Sequence, residues 1–537
     1  MAETAKDHGA ARESSHQSRH AGQASAIVKS TGWRTLARRI YRDDRKLQFA
    51  LLIFMLLFYG ALLFAAWGHS ARTTSLRLTF NSMLDHLMRG RFDVDLAVVG
   101  DEEGFLRDGR IYPYFGIWPA LLRFPLWIFR RMDVDFTLWS CLAAACLAGM
   151  AKVRAVLLLR RRGMQNPIAG RAVGLMLVYV LLGGSAIGHL NASVYTEVIG
   201  WAYAFAAVFV YLAVKGIVNR GFDVRTLCGM ALCAGLALNT RVTAGIGLIV
   251  ALVLLLLVLA ADPGAASISG RRSPIRHFLR ALAARRTLLP ASILAALMAA
   301  TGTVNYFRWG NPATFANWDL YLAANHGWSE FLEQIHAYGA FNIVRIPFAL
   351  VYYFLPVWAL RFTNPDLLLA NRWVRTLIAV ELPPSSFLLT DMLAFCFIAL
   401  LAIALWRRRS RGIPPAGRWA AAVAFGLLAP CILMLTAAYV AYRYRMEFYS
   451  EIEFLAFLGL YLTVTSETML ARFARFRRSM AAALAISIAC SFVSLALSDV
   501  GQPLPPQPDP QGLVHYYLQV TADHFHKIMA RHSASHE

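Results

Sequence analysis

Charge is what this 537-residue chain has least of. Asp, Glu, Lys and Arg make up 16% of it, where soluble domains carry roughly a quarter. With 58% hydrophobic residues, that scarcity argues against a soluble globular protein. Cysteine is scarce too. The seven cysteines (Cys141, Cys146, Cys228, Cys233, Cys396, Cys431 and Cys490) all fall inside apolar segments. The Cys141–Cys146 and Cys228–Cys233 spacings fit neither a zinc site nor a CxxC redox pair, so these residues read as small packing groups. No cleavable signal peptide is expected, because Met1–Lys46 is polar and the apolar run after it is long enough to span. No internal repeat is visible, which counts against transporter folds built from inverted halves.

What is present is a series of nearly uncharged apolar runs. About 20 helical residues cross a hydrocarbon core, and backbone groups in lipid must be bonded internally, so such runs are helices. The spans expected are about Leu47–Trp67, Phe136–Leu159, Val173–His189, Val198–Val218, Thr226–Leu238, Val242–Ala261, Leu288–Val304, Phe387–Trp406, Ala420–Ala441, Ile452–Thr465 and Met480–Leu497. Two further apolar stretches, Ile117–Phe129 and Ile346–Leu360, are short and carry prolines; the first fits an interfacial or re-entrant helix. The fold class is therefore an all-α polytopic integral membrane protein of about 11 transmembrane helices, with interfacial helices in its outer loops.

The net charge of +22 would suggest nucleic acid in a soluble protein. Here the basic residues cluster between apolar segments, as orientation determinants do, and no nucleic-acid partner is expected. With the N-terminus inside, the clusters at Arg160–Arg162, Lys215–Arg225, Arg271–Arg286, Arg407–Arg418 and Arg472–Arg478 all face the cytoplasm. Making either short proline-containing segment span would flip every later cluster. The expected organisation is a polar, basic N-terminal tail (residues 1–46), disordered to about Ser30 and amphipathic over Trp33–Lys46. A transmembrane domain (47–497) follows, with outer loops at 68–135 and 305–386, then an outer-facing tail (498–537). That tail holds an amphipathic Leu513–Ala530 segment whose His515, His524 and His526 read as a solvated helix face ahead of a metal site. The location implied is the cytoplasmic (inner) membrane, with a site on the outer, periplasmic side.

The first outer loop is dense in carboxylates. Asn81, Asp85 and Arg89 recur at i, i+4, i+8 along a helical stripe, so Asp85 reads either as a general base at the interface or as half of a surface pair with Arg89. Asp93 and Asp95, and the run Asp101-Glu102-Glu103, could hold a divalent cation (Mg or Mn) or carry acid–base chemistry. Glu197 stands at the start of a span, either functional at membrane depth or a helix cap. Tyr442-Arg443-Tyr444-Arg445 suits an interfacial phosphate on a lipid, or plain aromatic–basic anchoring.

Several stretches, in order, resemble GT-C-type polytopic membrane glycosyltransferases. They are Asp108-Gly109-Arg110-Ile111-Tyr112-Pro113-Tyr114-Phe115-Gly116-Ile117-Trp118-Pro119, Val194-Tyr195-Thr196-Glu197 with Gly200-Trp201, Gly235–Arg241, Asn305–Pro312, and Arg443-Tyr444 before a late helix. The resemblance covers about Leu47–Leu460. It implies a GT-C-like fold and transfer of a sugar from a polyprenyl-phosphate donor to a glycan, lipid or protein acceptor hydroxyl on the outer face. It also implies a loop-one aspartate as base in an inverting reaction, and basic residues around the lipid phosphate. Carried onto this chain, the base is Asp85, Asp93 or Asp95; the substrate-binding residues are Glu197, Arg241, Arg308, Arg443, Tyr444 and Arg445. Asp85 stands well beyond the end of the first span, where the family has an acidic pair almost directly at that end. The other readings are a transporter or flippase of a lipid-linked or anionic substrate, which predicts mid-span charges and internal symmetry that do not stand out, and a non-catalytic envelope-assembly protein.

Overall fold

The structure, a computed structural model, describes residues 43–67, 76–163, 166–261, 279, 281–325, 329–355, 376–381, 384–409 and 414–498. The N-terminal tail before Asp43 and the C-terminal segment with His515, His524 and His526 lie outside the described residues. The chain divides into two compact units, Met1–Phe54 and Met55–Glu537. In the first, the described residues are mainly the opening turns of a helix that begins at Asp44. Apart from that helix, all that follows concerns the second.

Nine helices among the described residues are long and apolar enough to cross a membrane: Asp44–Ala65, Thr137–Gly163, Pro167–Ile187, Val194–Val218, Val242–Ala260, Arg285–Trp309, Pro415–Thr436, Tyr442–Thr465 and Glu467–Ala496. Two segments expected as spans, Val224–Leu238 and Met392–Arg407, form shorter apolar helices. Fifteen residues rise only about 22 Å, less than a typical hydrocarbon core. Asp391 is the reason the second is short. It ends a one-turn helix (Phe387–Thr390) and the backbone leaves helical geometry there before Met392–Arg408 begins.

Local chemistry sets the helix ends that matter. Ser193 caps the Val194–Val218 helix in a reciprocal capping box: its Oγ accepts from Thr196 N at 3.2 Å and its own N donates to Thr196 Oγ1 at 2.8 Å. The helix thus starts a turn earlier than hydropathy indicates, which puts Tyr195 and Glu197 in its first turn. Asp223 caps Val224–Leu238 through Thr226 N at 2.9 Å. Gly310, with φ of +76°, closes Arg285–Trp309 and leaves Arg308 in the last turn.

Val194–Val218 is the hub. It packs on Thr137–Gly163, Val224–Leu238 and Met446–Thr465, while Val242–Ala260 packs on Pro415–Thr436. Small residues permit the close approaches, as usual between membrane helices: a Cβ on Gly426 would overlap Ala251, and one on Gly459 would overlap the Phe397 carbonyl.

The first loop forms a small cap of its own. Thr79–Met88 and Leu96–Glu103 are helices, and Phe105–Arg107 pairs antiparallel with Arg110–Tyr112 across the Asp108-Gly109 turn. The Ile117–Phe129 segment is two one-turn helices, Trp118–Leu121 and Phe124–Ile128, each with a proline in its first turn. A two-residue parallel pairing of Ala379–Val380 with Tyr439–Val440 ties the later loop to the bundle.

The absence of mid-span charge expected from the sequence does not hold. Lys152 and Glu453 are buried within spanning helices, 3.4 Å apart, with Ser185 Oγ donating to Glu453 at 2.6 Å and Tyr203 OH at 2.7 Å. Asp391 is buried against Arg445 (3.1 Å) and accepts from Tyr179 OH (2.7 Å) and Tyr449 OH (3.1 Å). These charges hide inside apolar runs because each is met by a partner distant in sequence.

Candidate active site

A cavity of about 540 Å³ opens where the loops meet the helix ends. Its wall takes Tyr114, Phe115 and Gly116 from the first loop, Tyr195 from the hub helix and Asn239-Thr240-Arg241 from the turn after Val224–Leu238. Arg308, the Ala313–Ala316 stretch with Trp318, and the Ala437–Tyr439 and Arg443-Tyr444 segments complete it. The chain is drawn together here by backbone contacts. Trp118 N donates to Asn239 O at 3.1 Å, and Gly116 sits so close to Asn239 that a Cβ would overlap its carbonyl.

Four of the substrate-binding candidates, Arg241, Arg308, Arg443 and Tyr444, line this one cavity, although they come from three helix ends more than 60 residues apart. Arg241 pairs through Nε with Glu447, which also accepts from Thr243 Oγ1 at 2.8 Å. Burial works against the Arg241 charge, but Glu447 outweighs it and holds the guanidinium above its ordinary pKa. Arg443 pairs with Glu381, whose carboxylate also accepts from Tyr439 OH and Tyr442 N, both at 3.2 Å. The Arg443 guanidinium lies 4.9 Å from the Tyr195 ring, 5.4 Å from Tyr444 and 5.6 Å from Tyr439; Arg241 lies 5.1 Å from Tyr444. Tyr444 thus touches two guanidiniums at once, in contacts of the cation–π kind.

Arg308 differs. It is buried, and its recorded partners are the Phe115 carbonyl (2.7 Å) and Met83 Sδ (3.5 Å), neither of them charged. Its Nε has no hydrogen-bond partner among the described residues. Tyr114 lines the same cavity from the first loop; burial, with Glu103 nearby, pushes its phenol well above the ordinary range, so it is a neutral donor.

The other candidates lie elsewhere. Glu197 forms a buried bidentate pair with Arg123 (Nη2–Oε2 2.7 Å). Arg445 is the buried partner of Asp391. None of Asp85, Asp93 and Asp95 is among the cavity-lining residues. Asp85, half-buried, is ion-paired at 2.6 Å with the exposed Arg89 at the end of its helix. Asp93 is buried beside Arg91 and 3.3 Å from His86 Nδ1; Asp95 is largely exposed, accepts from Ser82 Oγ at 2.8 Å and lies 3.4 Å from His86 Nε2. Among the described residues, no group of three or more His, Cys, Asp or Glu side chains could hold a metal ion.

No family model matches the chain, and no curated protein matches it. Solved structures do resemble it. An archaeal oligosaccharyltransferase AglB from Archaeoglobus fulgidus, in complex with an inhibitory peptide and a dolichol-phosphate, is 14% identical with a TM-score of 0.41, over 88% of this chain and 60% of that one. The Archaeoglobus fulgidus oligosaccharyltransferase tethered to an acceptor peptide is 14% identical with a TM-score of 0.41, over 84% and 55%. ArnT from Cupriavidus metallidurans, bound to undecaprenyl phosphate, is 12% identical with a TM-score of 0.39, over 84% and 78%. The chain spans 60% and 55% of the two oligosaccharyltransferases.

Sequence reasoning did not single out Tyr114, Tyr195, Tyr439, Glu381 or Glu447 as parts of this site. Glu447 carried a signal, lying three residues beyond Tyr444 and so on the same helical side. Glu381 carried none: it reaches Arg443 only because Ala379–Val380 pairs with Tyr439–Val440.

Proposed function

We propose that this protein is a membrane glycosyltransferase, moving a sugar from a polyprenyl-phosphate donor to an acceptor hydroxyl on the outer face of the membrane. The observation that carries the reading is the convergence of Arg241, Arg308 and Arg443 on one cavity, with two of the three already matched by Glu447 and Glu381. The cavity has the composition that a lipid-linked sugar phosphate needs. Arg308, a buried guanidinium with no carboxylate partner among the described residues, is the natural first contact for a phosphate oxygen, since an unpaired buried charge is costly and an anion removes that cost. Tyr114, Tyr195, Tyr439 and Tyr444 offer hydroxyls and ring faces to a sugar. Phe331, Ile335, Phe341, Ile378 and Met434 supply apolar wall for the first prenyl units.

In the reaction proposed, the acceptor oxygen attacks the anomeric carbon in line and inverts it. Polyprenyl phosphate departs, and its second negative charge develops beside the guanidiniums. Preorganised cations at the leaving group stabilise that transition state without reorganising. Arg445 and Glu197 serve from behind the wall, fixing it through Asp391 and Arg123.

The test uses the purified full-length protein in detergent with undecaprenyl phosphate linked to glucose, galactose, mannose or N-acetylglucosamine. Water and mixed free sugars serve as acceptors, and the released undecaprenyl phosphate is quantified. Release from one donor supports the reading; no release from any donor at any divalent-ion concentration argues against it.

A further inference from the structure

The transferase reading leaves the acceptor's proton without a destination, since Asp85, Asp93 and Asp95 stand away from the cavity lining. No carboxylate is among the described residues that line the cavity, but three touch a side chain that does. Glu447 and Glu381 reach it through the guanidiniums of Arg241 and Arg443. Glu103, from the first loop, reaches it through a phenol. It is 7% exposed, and its Oε1 accepts the phenol hydrogen of Tyr195, a residue that lines the cavity itself.

Both members are held from several sides. Tyr195 is fixed in the first turn of the hub helix by the Ser193 capping box, and its ring packs edge-on against Phe115 at 6.1 Å. Glu103 ends its helix at Gly104, where a Cβ would crowd the Gly100 carbonyl (2.8 Å) and Leu322 (2.9 Å), and the Gly104 carbonyl accepts from Leu322 N at 3.0 Å. The Arg443 guanidinium, 4.9 Å from the Tyr195 ring, favours negative charge developing on that phenol.

Resting on the transferase reading, we propose that Tyr195 and Glu103 form the proton-accepting pair of this cavity. Tyr195 takes the acceptor's hydroxyl proton and Glu103 receives the phenol's. As the acceptor oxygen bonds to the anomeric carbon, its hydrogen passes to the Tyr195 oxygen and the phenol hydrogen passes to the Glu103 carboxylate. The bond from the anomeric carbon to the phosphate oxygen breaks, and its electron pair leaves with polyprenyl phosphate. The proton ends on Glu103, and the phosphodiester's single charge becomes the monoester's two. Tyr195 is the catalytic group; Glu103 acts through it.

The experiment measures kcat for undecaprenyl phosphate release, with a donor the wild type uses, across an acid-to-neutral pH series. The variants are Glu103→Gln, Glu103→Asp and Tyr195→Phe, and binding of undecaprenyl phosphate is followed in parallel by native mass spectrometry. The expected result is a loss of about 10²–10⁴-fold in kcat for Glu103→Gln and Tyr195→Phe. Glu103→Gln also loses the acid limb of the profile, Glu103→Asp recovers part of the rate, and lipid-phosphate binding is unchanged in all three. Wild-type kcat and acid limb in either Glu103→Gln or Tyr195→Phe would overturn the relay alone. So would loss of binding together with turnover that Glu103→Asp does not restore. A wild type that releases nothing from any donor overturns the transferase reading and the relay with it.

Discussion

Arg123 and Glu197 form an ion pair in which neither side chain has any solvent exposure. One belongs to the paired short helices of the first loop, the other to the first turn of the hub helix. Arg123 also donates to the Pro119 carbonyl at 2.8 Å and lies over the Phe80 ring at 5.2 Å. The pair therefore fastens the loop that supplies Tyr114 and Phe115 to the helix that supplies Tyr195.

Removing one partner strands a buried charge, which typically costs about 3–5 kcal/mol. Glu197→Gln is expected to lower the unfolding midpoint in detergent by that order. The joint change Arg123→Met with Glu197→Leu is expected to recover most of it, because two apolar groups leave nothing unpaired. A thermal or denaturant melt of the three proteins checks this.

The same reasoning applies inside the bundle. Lys152→Met leaves Glu453 with Ser185 and Tyr203 but no cation, and a similar loss of about 3–5 kcal/mol is expected. The double change Lys152→Met with Glu453→Gln should restore much of the loss. Turnover per folded molecule should be unchanged in both, since neither residue borders the main cavity. Melts paired with activity normalised to folded protein separate the two effects.

Gly116 is a test of how the cavity is assembled. A methyl group there meets the Asn239 carbonyl, which is backbone and cannot swing aside. Gly116→Ala is expected to push the first loop off the Asn239–Arg241 turn and reduce turnover at least tenfold, an estimate in line with the cost of displacing a positioned group by about 1 Å. Gly90, in the same loop, has open space around it. Its replacement by Asn, which tolerates positive φ, should leave turnover near wild type.

Asp93 gives a pH signature. Burial alone would raise its pKa, but the Arg91 hydrogen bond and nearby His86 outweigh it, so the folded value lies below the ordinary 3.8. A depressed folded pKa stabilises fully above the unfolded value and loses that contribution as pH falls through the folded one. Asp93→Asn should therefore melt below wild type at neutral pH. The gap should close as pH drops below the ordinary carboxylate range, as melts across pH would record.

How much of this was legible in the sequence depends on range. Uncharged apolar runs declare membrane helices, and the Arg443-Tyr444 cluster marks an interfacial site, because both signals are local. Hydropathy places the start of the hub helix at Val198, whereas the Ser193 cap starts it at Val194 and so brings Tyr195 into the first turn. Ion pairs were hidden by distance: Glu197 meets a residue 74 positions earlier, and Lys152 one 301 positions later. The loop-one carboxylates could be seen as a group, but which of them approaches the cavity depends on how the Phe105–Tyr112 hairpin and Leu322 seat Glu103. No periodicity in the loop encodes that.

The measurement closest to the central claim compares binding of undecaprenyl phosphate and undecaprenol to the wild type and to Arg308→Ala. A charge-assisted hydrogen bond contributes about 1.5–3 kcal/mol, or roughly 10–100-fold in affinity. The wild type is expected to prefer the phosphate by at least that factor, and Arg308→Ala to lose the preference while binding undecaprenol as before. Equal binding of the two lipids by the wild type, or an Arg308→Ala protein that keeps the full preference, would contradict the account.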